Sequence, residues 1–123
     1  MRLSVYCVVS LCVAWVSSSP QVQLPRSTVM GEGHYWTRSS FFFLDFFGGI
    51  PYVEPPLGPL RLRPPVFKPH LDAGVFNASS FGLSCLQPGM STDLMSEDCL
   101  TINIFRPSSA NELSSLPVLF WTQ

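Results

Sequence analysis

The alternation of apolar and polar positions predicts a chain built from short strands. Residues 21–24 (QVQL) alternate, and residues 27–30 (STVM) repeat an extended pattern after a turn at Pro25-Arg26. Gly31-Glu32-Gly33 then interrupts the pattern, and residues 41–47 (FFFLDFF) follow as an aromatic run between Ser39-Ser40 and Gly48-Gly49. Aromatic residues fit a pleated, half-buried surface, so this run predicts a strand, and the three runs together predict a small antiparallel unit. Further on, residues 100–105 (LTINIF) alternate cleanly up to Arg106-Pro107, as in a strand with one buried face. Residues 108–115 read as a surface connection. The run from Pro117 to Trp121, inside LPVLFWTQ, predicts a last strand buried on both faces and lying beside its predecessor. No run repeats at helical period.

Two stretches between these runs have a different character. Residues 50–69, IPYVEPPLGPLRLRPPVFKP, place a proline every few positions, which removes backbone donors and fixes an extended path. The interleaved Ile50, Tyr52, Leu57, Leu60, Leu62, Val66 and Phe67 are too apolar for a linker held in water, so the segment is expected to cross a larger body. Residues 83–98 are polar and lie between Cys85 and Cys99 as a loop.

The N-terminus changes the meaning of the cysteines. Met1-Arg2 gives a positive start, residues 3–16 form an apolar and small-residue run, and Ser17-Ser18-Ser19 supplies small residues for a signal peptidase. A secretory signal peptide over residues 1–18 is expected. The run is shorter than the roughly 20 residues that span a bilayer, which argues against a membrane anchor. Of four cysteines, Cys7 and Cys12 would leave with the leader. Cys85 and Cys99 then form the one possible pair in an oxidising compartment, worth about 3 kcal/mol in the chain-entropy model. Asn77-Ala78-Ser79 is an acceptor sequon, so Asn77 becomes a candidate glycosylation site in a secreted chain. A formal charge of −1 gives no reason to expect nucleic acid as a partner.

Catalytic patterns are missing from the sequence. It has no G-x-S-x-G, H-E-x-x-H, C-x-x-C or P-loop, and Gly31-Glu32-Gly33 lacks the third glycine of a dinucleotide turn. Neither a cofactor nor a metal site is expected. His34 and His70 are the two groups that could titrate near neutrality, and neither has a carboxylate or nucleophile at suggestive spacing. Glu97-Asp98 are adjacent, so in extended chain they point to opposite sides and cannot act together as acid and base. One of them at a strand mouth could instead meet Arg61 or Arg63 in a bidentate pair.

The remaining motifs carry a resemblance. Residues 46–65, FFGGIPYVEPPLGPLRLRPP, resemble the F-x-G-I-P-Y-A-x-P-P-x-G-x-L-R-F pattern of type-B carboxylesterases, the family of cholinesterases, liver esterases and fungal lipases. Residues 96–107, SEDCLTINIFRP, are similar to that family's second signature, E-D-C-L-x-L-N-V, and the wording is most like secreted fungal members. The likeness extends to residues 27–31, 76–87 and 116–121, while residues 34–44 fit it poorly.

The resemblance implies the N-terminal part of an α/β-hydrolase fold, mostly strand and coil in this stretch, with residues 19–123 as the front of the esterase domain. It implies that Cys85 and Cys99 close the family's first disulfide loop at the rim of the active-site gorge. It further implies that Arg61 and Glu97 form a buried salt bridge, which would cost about 3–5 kcal/mol to break. In the family the strand matching Pro117 to Trp121 leads into a glycine-rich oxyanion loop, and the serine, acid and histidine come later. The 123 residues therefore carry no assignable catalytic residue, and they are expected to be inactive alone. The implied substrate of the full-length family is a small carboxylic ester or a lipid, and the implied location is extracellular. A non-catalytic cholinesterase-like adhesion protein and a short secreted fragment without enzymatic role are the alternatives. The leader is checked by mass mapping of tryptic peptides from the secreted protein: peptides starting near residue 19 are expected, and an intact Met1 peptide would contradict cleavage.

Overall fold

A computed structural model describes residues 19–37 and 41–122, with side chains for all of these except residues 34–37 and 41–42. The expected leader, residues 1–18, lies outside the described residues. Six strands form: β1 (Gln21–Gln23), β2 (Ser27–Met30), β3 (Glu32–Thr37), β4 (Phe41–Pro51), β5 (Gly74–Asn77) and β6 (Thr101–Pro107). Two 3₁₀ turns, Gly58–Leu60 and Thr92–Leu94, are the helical turns among the described residues.

The strands sort into two three-stranded sheets that differ from the expected antiparallel unit. In the first, β1 pairs antiparallel with β2, but the third member is β5, parallel to β2 with Val29 opposite Phe76. In the second, β4 lies between β3 and β6, antiparallel to both. Thus the aromatic run does not join β1 and β2 but pairs with β3 and β6. Gly31 does not stop the chain: its N–H donates to Pro20 O at 2.8 Å, and β3 starts at the next residue. The parallel β2–β5 pair needs a long crossover, which β3, β4 and the proline-rich run supply.

β4 is long, and a bulge between Phe47 and Ile50 breaks its register with β6. Gly49 there has φ +65°, a left-handed conformation that costs a side chain dearly and glycine little. Gly48 is needed for a different reason, since a Cβ on it would run into the Phe46 ring and the Ser80 carbonyl. The bulge turns two amides outward to useful partners. Gly48 N–H donates to Ala78 O at 2.9 Å, and Gly49 N–H donates to Asn103 Oδ1 at 2.9 Å. Ala78 N–H in turn donates to Met30 O at 2.7 Å, so this corner ties the two sheets together.

Packing follows the same corner. Val29, Phe47 and Ala78 are buried together, with Val22, Leu24, Ile50, Leu71 and Phe76 half-buried against them. Phe46 is fully buried, its ring centroid 4.7 Å from Phe81 and 4.9 Å from Phe105 in tilted geometry. Such aromatic pairs add about 0.5–1.5 kcal/mol each beyond their area.

The expected final strand is absent. Residues 117–122 are unpaired coil, and Val118 and Leu119 are 90% and 91% exposed, with Phe120 and Trp121 also open. A strand needs a neighbour to take its hydrogen bonds, and none of the described strands lies beside this run. β6 likewise has a less buried face than its alternation predicts, with Ile104 and Phe105 exposed. Substituting Gly48→Ala or Gly49→Val is expected to cost roughly 1–3 kcal/mol of stability. Gly33→Ala, with nothing within 4 Å of the added carbon, should change little, and urea denaturation of the three variants checks the contrast.

Candidate functional site

Three constellations of polar or covalent chemistry lie on this frame. The first is the disulfide loop. Cys85 and Cys99 are joined across 14 positions, and Ser84, just ahead of the loop, holds its C-terminal end: its N–H donates to Leu94 O at 3.0 Å and its O accepts from Ser96 N–H at 2.9 Å. Inside, Gln87 N–H reaches Met95 Sδ at 3.3 Å. The Ser91 hydroxyl donates to Asp93, and that bond holds the Asp93 carboxyl below its ordinary range. Whatever this contact contributes is therefore present above the ordinary carboxylate pKa and is lost as pH falls through the lowered one.

The second is the pair Arg61 and Glu97. Arg61 Nε donates to both carboxylate oxygens at 2.9 Å and Nη2 lies 2.8 Å from Oε1, a bidentate fork. The burial implied by the family resemblance is not found, since the side chains are 58% and 35% exposed. Arg61 follows the 3₁₀ turn, its N–H donating to Gly58 O at 3.2 Å, and neighbouring Leu62 is 93% exposed. Solvent screens such a pair, and its worth falls to about 0–1 kcal/mol. The proline-rich run around it is ordered. Glu54 N–H donates to Val66 O at 2.8 Å and Lys68 N–H to Tyr52 O at 3.1 Å, folding the run back on itself. A cleft of about 180 Å³ lies against this fold-back, lined by Tyr52, Glu54, Arg63, Val66 and Leu100 among others. Ligand pockets usually hold about 300–1,000 Å³, so this one is small.

The third was not foreseen from the sequence. Asp45 is buried in the middle of the aromatic run and stands opposite Arg106 across the β4–β6 ladder. Arg106 Nε donates to Oδ2 at 3.0 Å, the Ser108 hydroxyl donates to Oδ1 at 2.6 Å, and the Arg106 guanidinium lies 5.4 Å from the centre of the Phe47 ring. The available signal was a carboxylate inside FFFLDFF, because an aspartate enclosed by apolar neighbours requires a partner.

None of the three resembles a catalytic centre. The Ser91 and Ser108 hydroxyls both end on carboxylates. His70 is exposed in coil, whereas His34 belongs to β3 with its side chain outside the described residues. Arg63 is exposed beside the cleft and Asp98 is exposed next to Glu97. Among the described residues no three His, Cys, Asp or Glu side chains are grouped as metal ligands, and no helix is long and apolar enough to cross a membrane. Asn77 is exposed at the end of β5.

The sequence profile described as "Carboxylesterase family" matches residues 18–123. The chain belongs to the carboxylesterase family. Carboxylesterase 5A of Felis catus is 36% identical over 89% of this chain and 23% of its own length. Secreted triacylglycerol lipase LIP1 of Gibberella zeae is 36% identical over 81% of this chain and 19% of its own. The crystal structure of Aspergillus niger EstA superposes with a TM-score of 0.63 at 32% identity, covering 81% of this chain and 18% of that one. The fold is therefore the N-terminal part of a carboxylesterase α/β-hydrolase, in its strand-and-coil portion. The chain spans about a fifth of the length of these carboxylesterase relatives. Removing the disulfide (Cys85→Ser with Cys99→Ser) should cost about 2–4 kcal/mol, whereas Arg61→Ala should cost under about 1 kcal/mol. Thermal unfolding of both variants reads the order, and an equal loss would contradict the exposed placement of the pair.

Proposed function

We propose that the chain is the N-terminal scaffold of a secreted carboxylic-ester hydrolase whose complete form works through a serine acyl-enzyme. Residues 1–18 act as the cleaved leader, and residues 19–123 supply the front of the esterase domain. Family membership across residues 18–123 carries this reading. The fungal relative named as a secreted lipase supports the extracellular location and the ester or lipid class of substrate. In the complete enzyme a serine attacks the ester carbonyl, a histidine moves its proton, and backbone N–H groups hold the oxyanion.

The role of these 123 residues in that machinery is positional. The corner at Gly48-Gly49 fixes how the two sheets meet, the disulfide loop forms a rim, and the Arg61–Glu97 fork ties the proline-rich run to the base of that rim. Nothing in this set attacks an ester or moves a proton, so the 123-residue chain alone is inert toward esters. Purified chain should hydrolyse p-nitrophenyl butyrate no faster than buffer. Turnover that a serine-directed phosphonate abolishes would overturn this reading.

A further inference from the structure

The sequon singled out in the sequence occupies a defined place in the fold. Asn77 is the last residue of β5, and among the described strands β5 is the outer one of its sheet, with β2 on one side only. Its neighbours alternate as a strand requires: Phe76 packs against the core while Val75 on the opposite face is 68% exposed. Asn77 shares that outward face with Val75 and is itself exposed. Ala78, by contrast, has no exposure at all, and its N–H and C=O are bonded to Met30 and Gly48. The Asn77 side chain stands on this anchored backbone, with its Oδ1 accepting from Ser79 N–H at 3.1 Å.

We infer that Asn77 carries an N-linked glycan, and that the glycan covers the outward apolar face and free edge of β5. The inference rests on the proposed passage through the secretory lumen. The donor is a lipid-pyrophosphate-linked oligosaccharide. The Asn77 side-chain nitrogen forms a bond to the anomeric carbon, the bond from that carbon to the pyrophosphate oxygen breaks, and one amide proton leaves to a base of the transferase. The Ser79 hydroxyl completes the acceptor. A bulky hydrophilic group fits here because the Asn77 side chain projects outward from an anchored backbone, so no packed group has to move. It also serves a need, since an unpaired strand edge beside an exposed valine is a template for pairing with another chain.

The test expresses the full chain in eukaryotic cells in two forms, one with its native N-terminus and one with a heterologous leader ahead of Met1. Only molecules protected from protease inside the lumen are scored, and peptide N-glycosidase should lower the mass of these by one glycan. Asn77→Gln and Ser79→Ala should each remove that step, and because the step is read on the polypeptide it does not depend on the variant folding. Luminal wild-type chain without the step would overturn the site. If only the heterologous leader yields luminal, glycosidase-sensitive chain, the site stands and the native leader reading fails. Trimming the glycan from native protein should then raise the self-associated fraction on size exclusion several-fold, and an unchanged profile would overturn the covering role.

Discussion

The arrangement of both sheets depends on two adjacent glycine amides. At the bulge in β4, Gly48 donates across to Ala78 and Gly49 donates to the Asn103 side chain on β6. The first bond reaches the sheet formed by β1, β2 and β5, and the second holds the bulge within its own sheet. Neither bond could form without the close approach at Gly48 and the left-handed backbone at Gly49. The buried residues collect around this corner, with Phe46 and Phe47 on one side of the bulge and Ala78 opposite. A backbone requirement of two residues thereby fixes the relation between segments far apart in the chain.

A second constraint sits one turn of the pleat away. The buried Asp45 has both carboxylate oxygens satisfied by Arg106 and Ser108, which come to it from β6 and the turn beyond, and these contacts set the same β4–β6 register that the bulge interrupts. Polar satisfaction and aromatic packing thus agree on one alignment, which is the kind of consistency that specifies a sheet. The periphery is different. The Arg61–Glu97 fork is well formed but screened, and the apolar side chains of residues 116–121 are exposed.

Local structure was legible wherever alternation or aromatic density marked it, as at β2, β4 and β6. Partnership was not. The period of a strand says which face is buried but not which strand lies beside it, so β5, a short run of Gly, Val, Phe and Asn, went unrecognised as the parallel partner of β2. The same limit explains residues 117–121, whose apolar pattern suits a buried strand yet lacks a neighbour among the described residues. For the site, the motifs pointed to Arg61 with Glu97 and to Cys85 with Cys99, and the structure brings each of these together. The exposure of the ion pair could not be read from a motif, because burial depends on what packs above it. Asp45 carries a signal that went unread, a carboxylate inside FFFLDFF, and only the fold supplies its partners.

The family relation sets this frame in a larger one: the corner, the disulfide loop and the proline-rich run lie in a chain that spans about a fifth of the length of the relatives it matches. Native-state amide hydrogen exchange tests the central claim, that the glycine corner and not the C-terminal apolar run holds these residues together. The Gly48, Gly49 and Ala78 amides should be among the slowest to exchange, while those of residues 118–122 exchange at nearly the rate of unstructured peptide. Fast exchange at the corner together with protection in residues 118–122 would contradict the account.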